Sequence, residues 1–220
     1  MENNIIVGNL KAFLNHDELS HWIKTFVRQA ASYNLQNKTV IICPPDSHLQ
    51  LFYDTLMPTH LEDRVAIGAQ DVSALSKGAH TGEIMAQTVS QWARYTLIGH
   101  HERRVAGDTP QTIQEKLTQA LAGSLKPIVC LEQAERYEGK VWAYAYEPAA
   151  AIGTGAAQSP QEAQAALLAI KQSDPSGLCL YGGSVDVDNI HAYMEVGFNG
   201  VLIGKKSIDP VHFLKLIEAV

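Results

Sequence analysis

The chain has few cysteines, and their number and spacing argue against a disulfide framework. It contains three in 220 residues, at Cys43, Cys130 and Cys179, each at the end of or within an apolar run. An odd number of widely separated cysteines, without a Cys-x-x-Cys pair, is typical of reduced thiols in a reducing compartment. We therefore expect a cytoplasmic protein.

Long apolar runs and clusters of like charge are missing as well. No stretch approaches the length of a membrane span, and residues 1–4 carry neither a basic nor an apolar segment. The formal net charge is -6, and the sequence contains no run of like charges. Both features argue against nucleic acid and membranes as partners. Metal-ligand spacing and a dinucleotide-binding glycine motif are also absent, so we expect a small-molecule substrate without a metal or cofactor.

What the sequence does contain is a regular alternation of short apolar runs and longer helical patterns. Several of the runs lack a two-residue alternation, as strands covered on both faces do, and this favours a parallel sheet inside a layer of helices. Eight such strands predict a single (β/α)8 barrel domain over residues 1–220. The predicted strands are Ile5 to Gly8, Thr39 to Cys43, Val65 to Ala69, Tyr95 to Ile98, Pro127 to Cys130, Val141 to Tyr146, Leu178 to Tyr181 and Val201 to Ile203.

Several predicted helices carry start signals. Asp17 lies near the start of the first amphipathic stripe, and Thr109-Pro110 supplies a cap followed by a proline in the first turn. Ser159 opens a capping box with the glutamate three residues later, and Asp209-Pro210 precedes the last apolar stripe. These signals predict helices that begin directly after each of these caps.

One crossover is too short for a helix. Only residues 131–140 separate the fifth and sixth predicted strands, whereas a parallel connection with a helix normally takes about a dozen residues or more. We therefore predict a shortened or missing helix between strands 5 and 6. The apolar strand surface left there must be covered by another subunit or by loops that fold over it.

Polar side chains follow the first and fourth strands, at the barrel end where such folds gather functional groups. Asn9 and Lys11 follow strand one and can supply an amide donor and a positive charge. His100 follows strand four and can polarise a carbonyl; a short helix starting there would lower its pKa and keep the ring neutral. Glu102 can hold Lys11 or a backbone donor, and for His101 we expect only a solvated or supporting role.

A single carboxylate follows the sixth strand. Glu147 precedes Pro148 and a run of small residues that ends at Gly153-Thr154-Gly155. A strand end positions the carboxylate, while the proline and the glycines provide the stiff and the permissive ends of a loop that can close. The pattern favours a general base beneath a lid.

Glycine-rich segments follow the last two strands, at 181–185 and 204–207. Loops in these positions of a barrel commonly bind phosphate through backbone N–H groups. A carboxylate base, a neutral histidine and a lysine facing such a site are suited to removing a proton next to a carbonyl and stabilising the resulting enediolate.

The chain resembles the triosephosphate isomerase family over nearly its whole length. Five motifs in the same order carry the resemblance, and together they are far more specific than any one of them. They are Gly8-Asn9-x-Lys11, Thr81-Gly82-Glu83, Ile98-Gly-His100-x-Glu102-Arg103-Arg104, Tyr146-Glu147-Pro148 through Ile152-Gly-Thr-Gly155, and Tyr181-Gly-Gly-Ser-Val185.

The resemblance implies interconversion of dihydroxyacetone phosphate and D-glyceraldehyde 3-phosphate, a step of glycolysis and gluconeogenesis. It makes Glu147 the base, His100 the electrophile, and Lys11 and Asn9 substrate-binding residues; the pairing of a glutamate base with a neutral histidine is the family's known scheme. It also implies self-association as a homodimer or homotetramer, through a loop with Thr81 near its tip. The implied phosphate-binding residues are Gly153, Ser184, Gly204 and Lys205.

The sequence departs from the family pattern at four positions. Leu10 stands where the family commonly has tryptophan, His101 where it has serine, and Ala150 where a lid tryptophan would anchor closure. Lys205 replaces a glycine, and it can serve through its backbone N–H provided the position does not need a positive φ. Its side chain can add charge beside the phosphate.

Two other functions fit part of the pattern. An isomerase or epimerase for another sugar phosphate would keep the barrel and the phosphate loops, although the lid sequence argues against it. A catalytically silent phosphate-binding barrel would account for the lid alanines and Lys205. The presence of Asn9, Lys11, His100 and Glu147 favours the active triose-phosphate isomerase.

Overall fold

Eight parallel strands close into a barrel in chain order. The structure is a computed structural model that describes residues 4–149 and 157–220. The strands are β1 (Ile5–Asn9), β2 (Thr39–Cys43), β3 (Val65–Ala69), β4 (Tyr95–Ile98), β5 (Lys126–Leu131), β6 (Ala143–Tyr146), β7 (Leu178–Tyr181) and β8 (Gly200–Ile203). The barrel closes where Ile5 of β1 pairs with Gly200 of β8. The predicted (β/α)8 architecture is confirmed.

The α-helices of the described ranges lie in the connections between these strands, except the last, which follows β8. They are α1 (His16–Ala30), α2 (Leu49–Leu56), α3 (Ala86–Val89), α4 (His101–Val105), α5 (Pro110–Ala122), α6 (Pro160–Ser173), α7 (Ile190–Glu195) and α8 (Pro210–Ala219). Among the described residues, none of these helices combines the length and the apolar character needed to cross a bilayer.

The predicted helix starts are confirmed, with one refinement at α1. The side chain of Thr109 caps α5, Ser159 forms a capping box with Glu162, and Asp209 caps α8. At α1 the cap is Asn15, whose side chain accepts from two backbone N–H groups, and Asp17 lies in the first turn. A short amide, hydroxyl or carboxylate side chain at each site accepts from N–H groups that the helix itself cannot pair.

Apolar residues fill both faces of the sheet. One cluster contains alternate residues of the strands, such as Val7, Ile41 and Leu97, all fully buried. The larger cluster joins the other strand residues to the helices around them, for example Ile6 of β1 and Phe213 of α8. Because both faces are buried, the strands need no polar alternation, which is why they appear as continuous apolar runs.

The connection between β5 and β6 contains no helix, and all of its residues, 132–142, are described. Tyr137 and Val141 from this connection are each 8 % exposed and join the larger core cluster. Glu135 pairs with Arg104 of α4 at 3.1 Å and also accepts from the Tyr137 hydroxyl. The connection itself therefore folds over the barrel, which confirms the missing helix and agrees with the second of the two predicted ways of covering the strands.

Candidate active site

The carboxylate of Glu147 is buried at the mouth of the barrel. The residue directly follows β6, and its backbone N–H donates to the carbonyl of Leu131 at 2.8 Å, which extends the β5–β6 pairing by one step. Oε1 lies 3.2 Å from Nε2 of His100, and Oε2 accepts from the backbone N–H of His101 at 3.2 Å. With the residue only 2 % exposed, both oxygens are held by protein groups.

The ring of His100 lies between Glu147 and the start of α4. Its Nδ1 accepts from the backbone N–H of Glu102 at 3.2 Å, which assigns the ring proton to Nε2, the atom facing Glu147. Burial lowers the pKa of His100, but the hydrogen bond and the charge of Glu147 outweigh it, so the pKa is raised. The predicted lowering of this pKa is thus wrong, because Glu147 faces the ring.

Asn9 and Lys11 occupy the end of β1. Lys11 has a positive φ of 49°, and its backbone N–H donates to Oδ1 of Asn9 at 3.0 Å. A positive φ is unusual outside glycine, and such strained residues gather at functional sites. The Lys11 ammonium donates to Glu102 at 2.6 Å, one of the two contacts that the sequence allowed. Burial raises the pKa of Glu102, but the hydrogen bond and charge of Lys11 outweigh this effect and the pKa is lowered. The carboxyl is therefore ionised more readily than usual.

The ends of β7 and β8 form the part of the mouth between β6 and β1. Ser184 has a positive φ of 33°, and its carbonyl accepts from the side chain of Asn189 at 3.2 Å. Lys205 is exposed and opens a short 3-10 helix, Lys205–Ser207, without a positive φ. A lysine therefore fits this position as well as a glycine would, and its backbone N–H can still serve as a donor to phosphate. Gly153, together with the rest of residues 150–156, lies outside the described residues.

Two glycines let backbone approach the site closely. A Cβ added to Gly182 would lie 2.8 Å from Cγ of Glu147, a separation at which one group must shift. A Cβ added to Gly204 would lie 3.3 Å from Cε of Lys11, which is the far part of a flexible side chain. Sequence analysis placed the first glycine in a phosphate loop and missed its contact with the carboxylate.

Two further residues near the site were missed. Cys130, near the end of β5, is fully buried beside Glu147, and burial raises the pKa of its thiol, with the charge and hydrogen bonding of Glu147 adding to the effect. Glu132 accepts a contact of 2.7 Å from Nδ1 of His101. The available signal was position alone, since both residues lie at or just beyond the carboxyl end of β5.

A cavity of about 500 Å³ adjoins the end of β1 and is lined by Asn9, Lys11, His100 and residues of the segment 70–84. Within it, Lys116 bridges Asp71 and Asp108 at 2.6 and 2.7 Å. Thr81 lies outside it, on the exposed stretch 75–84. A larger cavity of about 780 Å³ lies at the amino ends of β2 to β5 and contains none of the predicted site residues. The smaller cavity is therefore the one that adjoins predicted site residues.

Comparison with known proteins identifies the family of the chain. The family model described as triosephosphate isomerase matches residues 4–143 and 138–220. The chain belongs to the triosephosphate isomerase family. A triosephosphate isomerase of Herpetosiphon aurantiacus is 33 % identical over 99 % of each chain, and one of Picosynechococcus is 31 % identical over 100 % of each. The crystal structure of triosephosphate isomerase from Bartonella henselae, 21 % identical, superposes with a TM-score of 0.83 over 100 % of this chain and 99 % of that one, and this confirms the fold.

Membership of the triosephosphate isomerase family settles the class of reaction. The chain is an intramolecular aldose–ketose isomerase that acts on triose phosphates. The resemblance inferred from the five motifs is confirmed, and the two other functions lose their support.

Proposed function

We propose that Glu147 is the base that removes and returns the proton during interconversion of dihydroxyacetone phosphate and D-glyceraldehyde 3-phosphate. The main support for this role is that its carboxylate is buried at a strand end, 3.2 Å from the ring of His100. A buried carboxylate keeps few waters, so it reacts readily with a proton placed next to it. Cys130 beside it stays protonated and adds no competing charge.

His100 acts as the electrophile in this proposal. Since Nδ1 is an acceptor, the ring is neutral and its Nε2–H is free to donate to a substrate oxygen once substrate separates it from Glu147. A neutral donor matches the weakly acidic enediol better than a full positive charge, and it avoids trapping the intermediate as an ion pair. Glu102 fixes the tautomer through its backbone N–H.

Lys11 and Asn9 bind the substrate beside this pair. The Lys11 ammonium supplies positive charge where the enediolate develops negative charge, and its partner Glu102 holds it in place. Asn9 is only 4 % exposed. Its side-chain oxygen accepts from the backbone N–H of Lys11 and so holds the strained backbone of that residue in place. The phosphate is bound by backbone N–H groups of Ser184, Gly204 and Lys205, together with Gly153.

The decisive experiment replaces Glu147 by Gln and follows conversion of glyceraldehyde 3-phosphate with a coupled dehydrogenase. We expect kcat to fall by several orders of magnitude while a substrate analogue still binds, because the amide keeps the shape but cannot accept the proton. The matched control is Glu138→Gln, an exposed glutamate of the 132–142 connection. An active Glu147→Gln enzyme would refute the assignment.

We also propose that the chain self-associates as a homodimer or homotetramer through the face around Thr81. Two exposed apolar side chains line the cavity at the mouth, Leu75 at 44 % and Ile84 at 40 % exposed, and Phe13, two residues after Lys11, is 55 % exposed. Such side chains beside a cavity are typical of an interface that buries them. Sedimentation should find a dimer or tetramer that dissociates in Thr81→Arg; a monomeric parent enzyme would contradict the proposal.

Two broader expectations accompany this function. A single domain over residues 1–220 is supported by the one closed sheet of the described residues. A cytoplasmic location is supported by Cys43, Cys130 and Cys179, which are free and buried. Cell fractionation tests the location, and a single cooperative unfolding transition tests the domain.

A further inference from the structure

Asp186 lies at the centre of a charged cluster that the proposed mechanism leaves unused. One of its carboxylate oxygens accepts from the ammonium of Lys206, and the other lies 3.2 Å from Nε2 of His212. Asp186 belongs to the segment after β7, Lys206 to the short 3-10 helix after β8, and His212 to the first turn of α8. The cluster therefore joins the two segments whose backbone N–H groups are proposed to bind phosphate.

These two segments depend on such a link because the pairing between their strands stops short of them. The last paired residues of β7 and β8 are Tyr181 and Val201, whereas the proposed donors begin at Ser184 and Gly204. Beyond the last pair, the hydrogen bonds of the ladder no longer set the distance between the two segments. Side-chain contacts from one segment to the other, such as the ion pair of the cluster, then help to set it.

On the β7 side, Asn189 connects the cluster to Ser184. The backbone N–H of Asp186 donates to Oδ1 of Asn189 at 2.8 Å, and the side-chain amide of Asn189 donates to the carbonyl of Ser184 at 3.2 Å. The positive φ of Ser184, 33°, is a conformation that persists only where surrounding contacts hold it. The placement of Asp186 is therefore coupled to the backbone conformation of Ser184.

On the β8 side, the 3-10 helix is anchored by two of its three residues. Oγ of Ser207, which is fully buried, donates to the carbonyl of Asn9 on β1 at 3.2 Å. Lys206, the preceding residue, provides the second hold through its contact with Asp186. Both holds act close to Lys205, so they restrict the direction in which its backbone N–H points.

A negative charge beside a phosphate site needs an explanation, because a carboxylate repels an anionic ligand. Burial raises the pKa of Asp186, but the hydrogen bond from Lys206 and a second one from the backbone N–H of Val187 outweigh this effect, and the pKa is lowered. The carboxyl is therefore ionised, and the ammonium of Lys206 balances its charge. A carboxylate is useful in this place if its main effect is to hold the two segments together.

We propose that Asp186, paired with Lys206, is a positioning residue that keeps the backbone donors after β7 and β8 at the separation that a phosphate group requires. The proposal rests on the phosphate-binding role given to Ser184, Gly204 and Lys205 above. Asp186 acts on the ligand through these segments, while its ion pair keeps the ammonium of Lys206 bound to protein. Loss of the pair therefore weakens the binding of substrate and of phosphate and leaves the proton-transfer residues in place.

The test measures kcat, KM and competitive inhibition by inorganic phosphate in Asp186→Asn, Lys206→Met and the double variant. Asp186→Asn should raise both KM and the inhibition constant roughly three- to fivefold, the upper range for a partly exposed ion pair. The kcat should stay within about twofold of the parent value, because the lost interaction contributes equally to ground-state and transition-state binding. Lys206→Met should act in the same direction, and the double variant should be no worse than the worse single variant, since both changes break one contact.

Matched controls separate this contact from general effects of charge. Asp188→Asn removes an exposed carboxylate two residues further along the same segment, and Lys215→Met removes an exposed lysine from α8; both should leave KM and the inhibition constant unchanged. Lys206→Arg keeps the charge and the donors, so it should keep most of the parent affinity for phosphate. Urea unfolding is measured for every variant, and if Asp186→Asn folds poorly, Lys206→Met and Lys206→Arg carry the same comparison.

The proposal is overturned if Asp186→Asn binds phosphate as tightly as the parent enzyme, or more tightly, since the carboxylate would then act only through its negative charge. It is also overturned if only Lys206→Met weakens binding, because the ammonium would then contact phosphate directly, or if the two losses multiply in the double variant. A parent enzyme that inorganic phosphate does not inhibit would instead reject the phosphate site itself, so the two failures are distinguishable.

Discussion

The two sides of the barrel mouth differ in how they hold their polar groups. On the side built by β4 and β6, His100 is 5 % and Glu147 2 % exposed, and each makes contacts of 3.2 Å with protein partners. On the side built by β7 and β8, Ser184 is partly exposed and Lys205 is exposed. The first side therefore has buried side chains that protein partners hold in place, whereas the residues of the second side are more exposed.

This difference follows the chemistry assigned to each side. Proton transfer depends on the position and pKa of individual side chains, both of which burial controls strongly. A phosphate group needs several N–H donors and positive charge, which an exposed glycine-containing loop can supply without burying ionised side chains. We therefore expect substitutions on the β4–β6 side to act mainly on kcat and those on the β7–β8 side mainly on substrate binding.

The largest expected effect lies between the two sides, at Lys11. Its ammonium contacts Glu102 after β4, and its side chain passes Gly204 after β8. Lys11→Met should lower kcat/KM about a hundred- to a thousandfold, the usual cost of losing one charged group that stabilises the transition state. Steady-state kinetics checks this, with the exposed Lys24→Met on α1 as control. A loss under about tenfold would mean that Lys11 is not at the reacting charge.

Gly182→Ala should have the next largest effect; the glycine follows β7, but its backbone reaches Glu147, so the variant acts on the β4–β6 side. The new Cβ would meet Cγ of Glu147 at 2.8 Å, so the base must move. We expect kcat to fall about a hundredfold, as for a displacement near 1 Å. Gly204→Ala should cost less, because its Cβ meets only the flexible Lys11 at 3.3 Å. Equal losses in the two variants would show that the β4–β6 side is no more rigid than the other.

Tyr137→Phe asks whether the β4–β6 side depends on the connection that covers it. Burial raises the pKa of Tyr137 to about 12, so its hydroxyl stays protonated and donates to Glu135, the partner of Arg104. Losing this hydrogen bond should lower the free energy of unfolding by about 1 kcal/mol in urea titration. Tyr33→Phe serves as control. If the free energy of unfolding of Tyr137→Phe equals that of the parent enzyme, this hydrogen bond of the connection does not stabilise the β4–β6 side.

The smallest expected effect is at Lys205, on the exposed side. Lys205→Gly should weaken inhibition by a phosphate analogue about twofold and reduce its dependence on salt, because an exposed charge is screened by ions. Lys140→Gly, an exposed lysine at the opposite end of β6, is the matched control. If inhibition and its salt dependence stay unchanged, the Lys205 side chain adds nothing to phosphate binding.

Much of the fold was predictable because the signals are local. The bounds of β2, β3, β4 and β7 agree with the apolar runs, and the caps at Thr109, Ser159 and Asp209 lie where the sequence places them. The positions of Asn9, Lys11, His100 and Glu147 at strand ends were predictable for a related reason. Parallel strands point the same way, so residues that follow them meet at one end of the barrel.

What the sequence by itself determined is therefore the order of strands and helices, the short crossover after β5 and the residue types at the mouth. Tertiary structure decided which groups touch: Glu147 against His100, Gly182 against Glu147, and His101 against Glu132. It also reversed the expected pKa shift of His100. These contacts join residues that are far apart along the chain. Their electrostatic and steric energies depend on angstrom-scale separations between atoms, which the local sequence pattern does not determine.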